Sequence, residues 1–165
     1  MGNVVSIAKA HNVEIKAPSE PPKAPEEGDA LKYEPSEALL SLWESIAPGC
    51  LNDYIALYIN KPYTLTTFDD EVNESFKGYK RLELVKGCTG YNVLTIWDCT
   101  DGHINVYELV DGEYKGQLVA FSYGDIKVYL GKTMKELIEV AESLEWKDED
   151  KDMEDLFKGV FGEFQ

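Results

Sequence analysis

Between Tyr91 and Leu130, apolar and polar residues alternate in runs broken by Asp-Gly and Gly-Asp steps, and this pattern predicts an antiparallel β-meander. Tyr91, Val93, Thr95, Trp97 and Cys99 share one face of the first run, with Asn92, Leu94, Ile96 and Asp98 on the other. Asp101-Gly102 and Asp111-Gly112 supply the positive φ of tight turns, and Ile104, Val106, Tyr114, Leu118, Val119 and Phe121 around them are strand formers.

A helical period frames the meander on both sides. Before it, Ser36 opens a helix with Leu39, Leu42, Trp43 and Ile46 on one face, and Pro48-Gly49 stops it. Leu51, Tyr54, Ile55 and Tyr58 predict a second helix over Leu51–Ile59, ended by Lys61-Pro62. Short strands are expected at Tyr63–Phe68 and Arg81–Val85. After the meander, Thr133-Met134-Lys135-Glu136 is a capping box for a helix with Met134, Leu137, Ile138, Ala141 and Leu144 as its stripe. A polar break, Lys147–Asp152, precedes a last helix whose Met153, Leu156, Phe157, Val160, Phe161 and Phe164 recur at strict helical spacing. Gly159 and Gly162 each weaken that helix by about 1 kcal/mol relative to alanine, so it needs a surface to lean on. That surface is either its own domain or, for a helix presented after a hinge, a partner's groove. The expected class is α+β: a meander of five to six strands flanked by N-terminal and C-terminal helices.

The organisation follows. Residues 1–16 form an arm, 17–35 a proline-rich linker, 36–146 one α+β domain, and 147–165 an acidic hinge with the amphipathic helix. The arm's Met1-Gly2-Asn3-Val4-Val5-Ser6 matches the N-myristoylation pattern at Gly2, although Lys9 and Lys16 beside Glu14 and Glu20 make a poor basic patch.

Composition adds charge to this picture. The chain has 165 residues, 44% of them hydrophobic and ten of them tyrosine, enough to fold a sizeable core, yet its net charge is −15. Over half of that excess lies in residues 136–165. Such a charge run either faces water or serves as an electrostatic docking surface. It disfavours direct contact with nucleic acid or anionic membrane, and the aromatic meander lacks the interleaved Lys and Arg of a base-stacking platform. Asp69, Asp70, Glu71 and Glu74 form an acidic turn, and Lys77, Lys80, Arg81 and Lys86 form the one locally basic stretch.

Chemistry is sparse. Cys50, Cys88 and Cys99 are an odd number with no Cys-x-x-Cys, and the sequence shows neither a signal-peptide h-region nor an apolar run of membrane-spanning length, so a cytoplasmic protein without disulfides or zinc is expected. The two histidines, His11 and His103, lack a catalytic setting, and no phosphate loop, nucleophile elbow or zinc-protease motif is present. Asp148-x-Asp150-x-Asp152 begins like a calcium loop, but Met153 takes the obligatory glycine position and Gly159 that of the bidentate glutamate. No metal or cofactor is expected.

These features predict a non-enzymatic, acidic protein-binding domain: an inhibitor, immunity protein or nucleic-acid mimic directed at a basic or nucleic-acid-binding partner. Asp148, Glu149, Asp150, Asp152, Glu154 and Asp155 would attract that partner, and Trp97, Tyr107, Phe157, Phe161 and Phe164 would touch it. The alternatives are a membrane-tethered adaptor acylated at Gly2, and a small-ligand binder with a pocket near His103 or Glu83.

Overall fold

A computed structural model of the chain describes residues 18, 28, 32–50, 57–69, 80–97, 103–123, 127–143 and 149–161. The elements are α1 (Glu37–Ser45), β1 (Gly49–Cys50), β2 (Leu57–Ile59), β3 (Leu65–Thr67), α2 (Lys80–Val85), β4 (Thr89–Trp97), β5 (His103–Leu109), β6 (Gln117–Ser122), β7 (Lys127–Thr133), α3 (Met134–Ser143) and α4 (Glu149–Phe161). They form an α+β fold on an antiparallel sheet ordered β1-β2-β4-β5-β6-β7. The run β4 to β7 is the expected meander, each strand pairing with its sequence neighbour. Its second turn has the expected chemistry: Gly112 takes φ +81°, and the Asp111 carboxylate accepts from Thr89 N at 2.7 Å.

Two sequence expectations are corrected. Leu57–Ile59 is strand β2, paired with β4 opposite Leu94–Ile96, where a helix was expected. Ile59 is fully buried while Tyr58 beside it is 41% exposed, the alternation of a strand at a sheet face. Conversely, Lys80–Val85 is a helix where a strand was expected: Leu82 and Val85, three apart, are its buried face, and Leu84 turns outward. Both segments are short enough for either period to fit. The first strand of the meander also breaks its own alternation. A register shift between Asn92 and Leu94 puts both Val93 and Leu94 in the core.

That irregularity shapes the sheet edge. β2 and β3 both pair antiparallel with β4, β2 toward its C-terminal end and β3 toward its start. Between them the chain bulges out as Lys61-Pro62-Tyr63, bracketed by Asn60 N donating to Val93 O at 3.1 Å and Asn92 N donating to Thr64 O at 2.9 Å. Tyr63 at the tip has φ +61°, the one non-glycine in the left-handed region among the described residues, at a cost of roughly 1–2 kcal/mol.

Both sheet faces are apolar. On one, α1, α3 and α4 cover Tyr91, Val93, Val106, Leu118, Ala120 and Tyr129. On the other, Phe68 and the short α2 cover Tyr107, Leu109, Val119, Phe121 and Val128. Thr133 and Glu136 form the expected capping box at α3, with Glu136 N donating to Thr133 Oγ1 at 3.3 Å and Thr133 Oγ1 within 3.1 Å of Glu136 Oε1. α4 then lies on α3 and β7, and glycine on each side permits the approach. A Cβ on Gly159 would stand 2.6 Å from Val140 Cγ1, and one on Gly131 of β7 would stand 2.5 Å from the Phe161 ring. Gly131→Ala should therefore lower stability by about 1–2 kcal/mol, a cost of overpacking. A urea titration checks this; an unchanged midpoint would mean that the Phe161 ring yields freely.

Candidate functional site

The candidate site residues separate into four groups. Tyr107, Phe157 and Phe161 are interior: they are 7%, 5% and 6% exposed. Tyr107 meets Phe68 and Phe121 edge-on, and burial, then its Tyr123 neighbour, push its hydroxyl up to about 12 against a lowering bond to Asn105. Phe157 packs edge-on against Tyr129 at 5.2 Å and stacks on Phe161 at 4.7 Å. The chain's own sheet and helices cover the three rings, where contact with a partner was expected. The second group is the acids. Glu149, Asp150, Asp152 and Glu154 occupy the first two turns of α4, which therefore begins inside the expected polar break, and Asp155 is half-buried. Trp97 closes β4, paired with His103. Asp148, Phe164 and Gly2, and with them the acylation pattern and the 69–74 acids after Asp69, lie outside the described residues.

The fold gathers acid on one side of the sheet. The three helices α1, α3 and α4 carry ten acidic residues against three lysines. Glu37, Glu44 and Glu139 among them are exposed. On the opposite side, α2 carries Lys80 and Arg81 against Glu83. Glu149, Asp150 and Asp152 lie in the first turn of α4, the positive end of its dipole, where an acid favours the helix by a few tenths of a kcal/mol. They thus have a structural role as well as a long-range field.

Sequence reasoning missed two features on the helical side. One is Glu108, 2% exposed on β5, whose carboxylate accepts from Ser36 N at 3.1 Å and from Ser36 Oγ. Ser36 Oγ in turn caps α1 by accepting from Leu39 N at 3.2 Å. Burial raises the Glu108 pKa, and the two bonds from Ser36 oppose that shift without cancelling it. The signal was present in the strand pattern, since Glu108 shares parity with Ile104, Val106 and Val110, an apolar face. The other is an aromatic corner in which Trp43 of α1 meets Tyr63 at 4.7 Å and Tyr91 at 5.5 Å. Tyr91 donates its hydroxyl to Tyr33 O at 2.9 Å, and burial raises its pKa to about 12. The Trp43 indole N–H, in a side chain with no exposure, has no acceptor among the described residues. Nothing in the sequence pattern marked this corner.

On the other sheet face, Asn60 Nδ2 lies 3.5 Å from Thr95 Oγ1, which donates to Asn105 Oδ1 at 2.9 Å, while His103 stacks on Tyr123 at 4.4 Å. Asn60, Thr95 and Asn105 thus form a polar row across neighbouring strands. A cleft of about 620 Å³ opens between the starts of α1 and α3, lined by Ser36, Ser41, Gly116, Thr133 and Lys135 among others. It is lined by neither His103 nor Glu83. Among the described residues no group of three His, Cys, Asp or Glu is placed to hold a metal, and no helix is long and apolar enough to cross a membrane. Compared with known protein families, characterised proteins and solved structures, the chain finds no match.

Proposed function

We propose that this chain is a non-enzymatic, acidic protein-binding domain that occludes a basic or nucleic-acid-binding partner, in the manner of an inhibitor, immunity protein or nucleic-acid mimic. The observation that carries the reading is the one-sided charge of the helical layer, ten acids against three lysines. Leu156, Phe157, Val160 and Phe161 anchor α4 to the domain, so its acids are held on a fixed frame. A charge array pre-organised in this way steers a complementary surface into register and loses little entropy on docking.

The test is capture of partners from the native host across a salt series, with wild type and a Glu149→Gln, Asp150→Asn, Asp152→Asn, Glu154→Gln variant. The expected partner is basic and is released as salt shortens the screening length from about 10 Å at 0.1 M to about 3 Å at 1 M. The variant should bind about tenfold more weakly, chiefly through slower association, the kinetic signature of lost steering. Equal capture by the variant, with its fold intact by circular dichroism, would reject α4 as the docking element.

A further inference from the structure

The corner beneath Tyr63 combines features that a closed core does not need. Trp43 and Tyr91 stand at right angles, 88° between their planes, and the Tyr63 ring fills the angle between them. Tyr63 is only half-buried and sits on a three-residue tip whose two ends are fixed to β4 by backbone bonds, so the tip can turn outward without breaking the sheet. It is held inward in a left-handed conformation that a tyrosine adopts at a cost, and strain of this kind concentrates at switchable sites. The ring it packs on, Trp43, has an indole N–H with no acceptor among the described residues, and a buried donor without a partner calls for an explanation.

We infer that Tyr63 is a removable plug over a seat for a small organic ammonium group, walled by Trp43 and Tyr91. A cation at the present centre of the Tyr63 ring lies 4.7 Å from the centre of the Trp43 ring and 5.9 Å from that of Tyr91, both within the roughly 6 Å reach of a cation placed over an aromatic face. Glu108 supplies the field: it pairs with Tyr91 across the strands, is almost fully buried, and meets no cation among the described residues. The molecule's net charge of −15 raises the local concentration of any such ligand. Two sources share this chemistry, a free quaternary amine and the side chain of a lysine on a protein.

The experiment follows the Trp43 indole N–H resonance in the full chain, assigned by its loss in Trp43→Phe. Wild type and Tyr63→Gly are titrated with choline, with butylammonium standing for a lysine side chain, and with the neutral alcohol in which carbon replaces the choline nitrogen. Choline or butylammonium should move the resonance saturably in wild type, and whichever binds more tightly names the source. Tyr63→Gly keeps the backbone geometry without the plug and should bind about tenfold more tightly, since opening no longer competes with binding. Absence of a shift in wild type overturns the inference, as does equal binding of the neutral alcohol. The seat does not depend on the acidic helical layer, so failure here leaves the docking reading standing, and the converse holds.

Discussion

Replacing Phe157 with alanine should destabilise the protein by about 3–5 kcal/mol, the range for removing a phenylalanine from a core that collapses only in part. The residue lies between Tyr129 of the sheet and Phe161 of its own helix, and with Leu156, Val160 and Phe161 it joins the larger of the two cores. Loss of the ring therefore opens a cavity at the junction of α4, β7 and the sheet face rather than trimming a tail. The measurement is the urea midpoint, with the thermal midpoint falling by on the order of 10 °C. A helix that merely rested on the surface would give a loss under about 1 kcal/mol and an unchanged midpoint after truncation at Lys147. Truncation is instead expected to unfold the domain, because it uncovers Tyr129 and Val140 together.

The same helix shows where the sequence was informative and where it was not. Its stripe of Leu156, Phe157, Val160 and Phe161 was readable, but periodicity identifies a face without saying what covers it. Gly131 and Gly159 are what decide the matter: each is bare where the other element approaches, and that pairing exists only in three dimensions. The meander and the α1 and α3 caps were legible because alternation, an Asp-Gly turn and a Thr-x-x-Glu box are local signals. Segments of three and six residues, β2 and α2, were not, since neither period repeats often enough to exclude the other. Val93 and Leu94 show a further limit, because a bulge is set by pairing with β5 and leaves no mark in the strand's own sequence. Tyr63 is the extreme case: its neighbours in the corner come from α1 and β4, so no window of sequence contains them.

Glu108→Ala should cost about 2–4 kcal/mol, because it removes the acceptor of two hydrogen bonds from half-buried Ser36 at the start of α1, bonds to a carboxylate that are worth about 1.5–3 kcal/mol each. Glu108→Gln should behave oppositely at neutral pH. Its carbonyl oxygen still accepts from Ser36 N, and its amide donates to Ser36 Oγ, which keeps the bond from Leu39 N. What it removes is a carboxylate taken out of water without a cation. The direction with pH follows from the raised pKa. The folded protein holds the Glu108 proton more tightly than the unfolded chain does, so this group's contribution is fully favourable below the ordinary value of 4.5 and is lost as pH rises through the raised one. Wild type and Glu108→Gln should therefore have matching stabilities at about pH 4, and the glutamine variant should gain on wild type as the pH rises toward about 7. Urea titrations of both across that range measure the difference directly, with all other carboxylates cancelling between them. A gap that widens toward acid would mean that the bonds from Ser36 outweigh the burial of Glu108, and that its charge fastens α1 to the sheet instead of straining the joint.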